Sequence, residues 1–309
     1  MAHTTTDAAA VMPMRRNAWA SSLRLLARDR WALASVIFLL LIVTCALLGD
    51  WMVGNAATAI NLRGRNLPPF VLERGWLMIL GSDSLGRSIV ARLVIGSFNT
   101  LSIAGSAVLL SLLVGSALGL IAGYRGGWVS NLIMQAADIL MSFPSLLLAL
   151  VILYILEPRV GNLVIVLAIS RVPIYLRTAR AETLEVRERM FVTAARVMGA
   201  GSGRLVWRHI VPMVTPTMIT LATLEFASVM LSESSLSFLG LGVQPPGITW
   251  GLMVAEGRAY LGTAWWLSFW PGLAITLTAI SVNLLSNWVR VVADPQQRWR
   301  LEARSRANG

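Results

Sequence analysis

The sequence predicts an all-α membrane protein that crosses the bilayer about six times. Apolar residues make up 56% of the 309 residues and charged residues only 13%, and the mean hydropathy is +0.69. A soluble domain of this length needs about twice that charged fraction to cover its surface. Several uncharged runs also reach the ~20 residues that a helix needs to cross the hydrocarbon core. Together these observations indicate a polytopic helical bundle.

The first three crossings follow from uncharged runs. The first is Trp31–Leu48, which we interpret as an uncleaved helix with its N-terminus in the cytoplasm. A cleaved signal peptide is the alternative, but its apolar core is usually about 7–15 residues long, and the leader before this run is long. The second crossing lies between Arg92 and Arg125, and the third covers Leu132–Leu156.

The last three crossings carry more polar residues. The fourth, Leu163–Leu176, is interrupted by an arginine and a proline. The fifth, Met213–Leu231, contains a glutamate, and the sixth is Trp265–Val289. After the fifth, the glycines and the proline pair of 231–250 argue against one straight helix and suggest either a re-entrant piece or a connecting loop.

The arginines orient these crossings. With both termini in the cytoplasm, eighteen arginines fall in cytoplasmic segments and seven in outer ones, which agrees with the positive-inside rule. Omitting the fourth helix would move residues 177–212 outside and spoil this agreement. The predicted organisation is a cytoplasmic N-terminal segment 1–30, a first transmembrane helix 31–50, an extracytoplasmic segment 51–95, a five-helix core 96–290 with a cytoplasmic loop 177–212, and a cytoplasmic tail 291–309.

Several chemical functions are excluded by missing residue types. All 26 basic residues are arginine, so the chain has no lysine for a Walker A loop or a Schiff base. The lone Cys45 permits no internal disulfide, and His3 and His209 lie too far apart to suggest a metal site. The net charge of +11 lies beside apolar runs, so it does not indicate nucleic-acid binding. We therefore expect no enzyme activity and no cofactor bound by this chain.

Residues 187–212 form a basic, half-apolar stretch between two hydrophobic ones. Its glycines interrupt the helical pattern after Met198, which predicts a short helix, a turn and a second stretch that leads into Pro212. Small residues would let a partner surface come close, and arginines are available to acidic groups. The residues alone leave two interpretations open, a surface for a soluble partner or a solvated loop on anionic lipid headgroups.

The stretch Phe191–Gly199, followed by Arg208–Pro212, resembles the "EAA" loop of the permeases of ABC importers. In that family a Glu-Ala-Ala triplet precedes a glycine and, further on, an isoleucine and a proline. Thr193 stands where the family has its glutamate. The resemblance implies a short cytoplasmic helix that docks in a cleft of an ATPase. The residues it assigns to this coupling loop are Arg189, Thr193, Ala194, Ala195, Arg196, Gly199, Ile210 and Pro212.

Further blocks resemble one branch of that family, the C-type permease subunit of dipeptide, oligopeptide and nickel importers. These blocks are Leu80–Arg87, Gly119–Trp128, Asp138–Pro144, Leu236–Pro246 and Trp250-Gly251. The resemblance implies the type I ABC-importer permease fold in a bacterial inner membrane. The implied partners are a second homologous permease, two ATPases that bind ATP-Mg, and an extracytoplasmic binding protein. Di- or oligopeptides are the expected substrates, with nickel or another small solute as alternatives.

Three charges are predicted at membrane depth, where isolated charges are costly. Asp138, Arg171 and Glu225 could line a pathway or form an internal pair such as Asp138–Arg171. They would also be the site of a stand-alone, ion-driven secondary transporter, which is the main alternative to an importer subunit. A membrane scaffold that transports nothing is a third interpretation. In the second helix, small residues at every fourth position predict close packing against another helix. These are Ser111, Gly115, Gly119 and Gly123.

Overall fold

The computed structural model describes residues 26, 27, 29–71 and 75–293. The predicted segment 1–30 and tail 291–309 therefore lie almost entirely outside the described residues. Within them the chain is helical, and an isolated bridge between Ser82 and Ser88 stands in place of any strand. The helices are α1 (Arg30–Val53), α2 (Ile89–Arg125), α3 (Gly127–Ser142), α4 (Ser145–Leu156), α5 (Val160–Arg187), α6 (Met190–Val197), α7 (Ser202–Leu205), α8 (Val211–Phe238), α9 (Trp250–Gly257) and α10 (Trp266–Ala293).

The all-α polytopic fold is confirmed. Five of the helical segments are long and apolar enough to cross a membrane, and α3 with α4 would supply a sixth crossing. Side chains that begin the helices cap them as their types predict: the Asp29 carboxylate accepts from the amides of Trp31 and Ala32, and the Ser88 hydroxyl accepts from Ala91. At 37 residues, α2 is about 55 Å long, so it extends beyond the hydrocarbon core at one or both ends.

Close packing of α2 against α5 forms the centre of the bundle. The predicted small-residue face of α2 is buried along its whole length. A Cβ atom added at Gly119 would lie 2.5 Å from the carbonyl oxygen of Leu176 and 2.6 Å from the Cβ atom of Ala179. Gly115 and Gly123 meet α5 just as closely. The two helices run parallel, because successive glycines of α2 meet successively later residues of α5.

The third predicted crossing is built from two helices that meet at a sharp bend. Residues 132–156 fall in α3 and α4, which meet at an angle of 89°. Phe143 precedes a proline and is therefore pushed out of the helical region, to φ −97° and ψ 138°. Pro144 then starts α4 without needing an amide hydrogen bond. Hydropathy stays high across this joint, so the apolar pattern gave no sign of the bend.

Two further boundaries differ from the sequence prediction. Helix α5 continues past Leu176 to Arg187, so the first third of the predicted loop 177–212 is helical. Helix α8 continues past Leu231 to Phe238, and the irregular part of 231–250 is confined to the residues between α8 and α9. In both cases the helix extends into a more polar stretch. The composition changes there, but the backbone hydrogen bonds of the helix continue.

Candidate functional site

The short helix α6 lies at the end of the bundle where α2 and α5 end. The Arg187 guanidinium donates to the carbonyl oxygen of Gly123 in the last turn of α2, at 2.9 Å. A cation at a helix C-terminus satisfies free carbonyl groups and complements the helix dipole. Two turns earlier on α5, Arg180 Nε donates to the Ser130 hydroxyl of α3 at 2.8 Å. The C-terminal part of α5, which precedes α6, is therefore hydrogen-bonded to α2 and α3.

The inner face of α6 is fixed to the bundle. Val192 is fully buried and Ala195 is 5% exposed. They join an apolar cluster contributed mainly by α5, α7, the turn after α7, and α8. The other buried members are Tyr175, Ala179, Val186, Leu205, Ile210, Val214 and Met218. Any displacement of α6 therefore acts directly on α5 and α8.

Gly199 closes α6 with a Schellman motif. The Ala200 amide donates to the Ala195 carbonyl and the Gly199 amide to the Arg196 carbonyl, both at 3.0 Å. This arrangement requires a left-handed residue after the helix, and Gly199 has φ +87°. The turn predicted after Met198 is thus a specific hydrogen-bonded cap.

The return to the membrane passes through one turn of π-helix, Val206–Ile210. The Val211 amide donates five residues back, to the Val206 carbonyl. Pro212 has no amide hydrogen to donate, so the regular helical hydrogen-bond series cannot continue through it. Ile210 is fully buried while Pro212 is exposed. Pro212 therefore interrupts the backbone hydrogen bonds at the start of α8, and the buried Ile210 packs this turn against the bundle.

The outer face of α6 and of the following turn is strongly apolar. Met190 is 89% exposed, Val197 83%, Met198 82% and Trp207 74%. Phe191 is also exposed and lies 6.4 Å from His209 between ring centroids. Contiguous exposed apolar side chains on a rigid element are typical of a docking surface.

Apart from the buried Ala195 and Ile210, the residues predicted for the coupling loop are exposed. Thr193, Ala194 and Arg196 point away from the bundle. Arg189 occupies the position before the first residue of α6, and its Nη2 lies 2.7 Å from Glu185 Oε1 on α5. Arg196 forms no ion pair with any residue that the structure describes. The loop therefore combines buried apolar anchors with exposed threonine, alanine and arginine side chains.

At membrane depth the structure corrects the predicted charge pair. Arg171 does not pair with Asp138; its Nη1 lies 3.2 Å from Glu225 Oε2 on α8. Its Nη2 donates to the Ser232 hydroxyl at 2.9 Å. Asp138 instead pairs with Arg177, nearer the end of α5 that carries α6. The bend in the α3–α4 unit and the direct contact of α5 with α8 explain why the predicted partner was wrong.

A second charge network, which the sequence analysis missed, lies at the opposite end of the bundle. Arg92, whose side chain is only 3% exposed, bridges Asp83 Oδ2 at 2.6 Å and Glu256 Oε2 at 2.8 Å. Asp83 also accepts from the Arg87 side chain at 2.6 Å. This network joins the loop before α2 to α9. The Asp-Ser-Leu-Gly-Arg segment belongs to one of the family-like blocks, but its partner Glu256 is too distant in sequence for spacing to indicate the contact.

Glu233 is a further buried acid that sequence reasoning did not select. It is fully buried on α8, and its Oε1 accepts from Ser237 at 2.8 Å and from Thr249 at 3.1 Å. Thr249 in turn caps α9 through the Leu252 amide. The carboxyl group thus lies at the start of α9 and fixes that helix against α8.

Two family models match the chain. Residues 115–299 match the model described as "Binding-protein-dependent transport system inner membrane component". Residues 17–69 match "N-terminal TM domain of oligopeptide transport permease C". The first model includes α6 and both membrane-depth charge pairs, and the second includes α1.

Curated relatives match over most of their own length. The chain is 41% identical, over 87% of its length and 89% of the relative's, to the "Di/tripeptide transport system permease protein DppC" of Pseudomonas aeruginosa (strain UCBPP-PA14). It is 35% identical, over 85% and 86%, to the "Probable D,D-dipeptide transport system permease protein DdpC" of Escherichia coli (strain K12). These matches favour a transporter subunit over a stand-alone secondary transporter.

A solved structure shares the fold. It is titled "Inward facing conformations of the MetNI methionine ABC transporter: CY5 native crystal form" and superposes with a TM-score of 0.54 at 17% identity. The match covers 64% of this chain and 95% of that chain. At this identity the likeness concerns the fold, and it agrees with the predicted permease architecture.

Proposed function

The chain belongs to the family of binding-protein-dependent transport system inner membrane components, and we propose that it forms one half of the translocation pathway of a peptide importer. It is a multi-pass inner-membrane transporter subunit and not an enzyme. Its expected partners are a second homologous permease, two ATPase subunits that bind ATP-Mg, and an extracytoplasmic binding protein. The single observation that carries the proposal is the exposed apolar face of α6 on a rigid base.

The mechanism follows from how α6 is held. When ATP binding closes the two ATPases, a cleft that grips Met190, Val197 and Met198 moves these side chains with it. Val192 and Ala195 transmit that motion to α5 and α8, because they are buried between those helices. The membrane helices then shift as packed units and open the pathway toward the binding protein.

Thr193 alters the electrostatics of this docking surface. The family's glutamate would place a carboxylate on the outer face of α6, and threonine places a hydroxyl there. We propose that the apolar contacts and Arg196 supply the attachment to the ATPase in this chain, since neither requires the missing carboxylate. Arg196 is exposed and fits an acidic group on the ATPase surface.

The substrate assignment rests on the names of the relatives. Both are named as permeases for short peptides, and we propose peptides as the solute for this chain. We further propose that both termini lie in the cytoplasm, with α6 on the same side. The excess of arginines in the corresponding segments supports this orientation.

Site-directed photo-crosslinking tests the coupling role. In a Cys45→Ala background, Met198→Cys carries a benzophenone on α6, and Trp51→Cys, which is 87% exposed at the end of α1, serves as the control. The chain is co-expressed with its cognate ATPase. We expect Met198→Cys to crosslink to the ATPase and Trp51→Cys not to do so. Crosslinks from Trp51→Cys alone would show that the ATPase binds elsewhere.

A further inference from the structure

A polar stripe runs along α8 through the middle of its span. Glu225, Ser228, Ser232 and Ser235 recur at intervals of three and four residues, so they share one face of the helix. Glu225 lies near the centre of α8, and its partner Arg171 lies near the centre of α5. The ion pair therefore lies within the candidate membrane-spanning part of both helices.

Both side chains of this ion pair are partly exposed at the surface of the chain. The Arg171 side chain is 23% exposed and the Glu225 side chain 11% exposed. Charged residues inside membranes face a protein partner or a water-filled cavity and do not face lipid chains. The serines beside the pair argue for the same environment. We take this face as the lining of the translocation path.

Some buried polar atoms of the pair lack a well-formed hydrogen bond. Among the described residues, nothing hydrogen-bonds to the buried Nε of Arg171 or to Glu225 Oε2 with good geometry. The Tyr175 hydroxyl, one turn after Arg171 on α5, is fully buried and also lacks a hydrogen bond of good geometry within the described part of the chain. Buried polar atoms of this kind call for a structural or functional explanation.

We propose that Arg171 and Glu225 form a transient site on the path for a solute that carries one carboxylate and one ammonium group. The inference rests on the proposed function, since a peptide with free termini carries both groups. The guanidinium of Arg171 can bind a carboxylate through two parallel hydrogen bonds. Glu225 then accepts from the ammonium. Because the pair exchanges one set of opposite charges for another, neither side chain is left unpaired in the membrane.

The test uses the complete importer in proteoliposomes, with radiolabelled L-alanyl-L-alanine as the probe. The variant Arg171→Met/Glu225→Gln removes both charges together. The matched control is Arg159→Met/Glu157→Gln, which removes an exposed arginine–glutamate pair whose side chains are 78% and 69% exposed. Three quantities are compared with the native complex: uptake, ATP hydrolysis stimulated by the binding protein, and the melting temperature.

We expect uptake by the Arg171→Met/Glu225→Gln complex to fall about tenfold or more, since charged hydrogen bonds to the solute are lost. ATP hydrolysis and the melting temperature should stay close to native, and the control should match the native complex throughout. Native uptake by the double variant would overturn the inference, because a purely structural pair can be replaced with little loss. A joint fall of uptake, hydrolysis and melting temperature would overturn it too.

The same experiment separates this inference from the proposed function. If the native complex hydrolyses ATP on addition of the binding protein but takes up no dialanine, the peptide assignment fails and the charge site falls with it. If the native complex takes up dialanine and the double variant does so equally well, only the charge site is refuted.

Discussion

At the scale of single residues, Gly199 determines how α6 ends. Its φ of +87° permits the two hydrogen bonds that end α6. The space around it is open, because a Cβ atom added there meets no heavy atom within 4 Å. Backbone conformation, and not crowding, is therefore the reason for a glycine at this position.

Replacing Gly199 with valine should uncouple the importer. A β-branched residue at this φ costs about 1–3 kcal/mol, so the turn should open and the outer face of α6 should lose its orientation. We expect ATP hydrolysis to persist while uptake falls several-fold in proteoliposomes.

Gly201→Val is the matched control for this change. Gly201 also has open space around its Cβ position, but its φ is −67°, which valine adopts easily. The control should transport normally. Normal uptake by Gly199→Val would show that the geometry of this turn does not transmit the motion of the ATPase.

Residue chemistry explains which parts of the site were predictable. The glycines after Met198 correctly predicted a short helix and a turn, because turn chemistry is local. The Arg171–Glu225 pair was not predicted, because helix neighbours in sequence were taken as neighbours in space. Glu225 reaches Arg171 because α8 packs directly on α5. The spacing of residues in the sequence does not indicate that contact.

At the scale of helices, the contact between α2 and α5 depends on the absence of side chains. Changing a glycine to alanine inside a helix usually stabilises it by about 0.5–1 kcal/mol. Gly119→Ala should do the reverse, because the new methyl group would lie 2.5 Å from a backbone oxygen of α5. Overpacking of this kind costs about 1–3 kcal/mol. We expect a lower melting temperature, measured by tryptophan fluorescence of the purified protein.

Gly105→Ala tests the same change elsewhere on α2. Its added Cβ atom would meet only Phe226 of α8, at an ordinary 3.8 Å. This variant should melt at or above the native temperature. Equal melting temperatures for Gly119→Ala and Gly105→Ala would mean that α2 and α5 are less tightly packed than described.

Helix ends and bends were the least predictable features at this scale. Hydropathy marks where apolar composition stops, whereas a helix stops where its hydrogen bonds do. Helix α5 therefore passes Leu176 and reaches Arg187. Conversely, the bend at Phe143 interrupts the helix within an uninterrupted apolar run, because a proline restricts the residue before it.

At the scale of the whole molecule, the two ends of the bundle are held together differently. One end is closed by the charge network of Asp83, Arg92 and Glu256, which ties a loop to α2 and α9. The other end presents α6, whose outer apolar side chains are largely exposed. One end is thus held by ion pairs between its own residues, and the other carries the surface that we propose binds a separate protein.

The orientation of these ends in the membrane can be measured directly. In a Cys45→Ala background, Arg63→Cys and Arg204→Cys place single exposed thiols at opposite ends of the bundle. The arginine distribution predicts that the end with Arg204 is cytoplasmic. A membrane-impermeant maleimide should therefore label Arg63→Cys in intact spheroplasts and label Arg204→Cys only after permeabilisation. Labelling of Arg204→Cys from outside would place α6 beyond the reach of a cytoplasmic ATPase, and the coupling proposal could not stand.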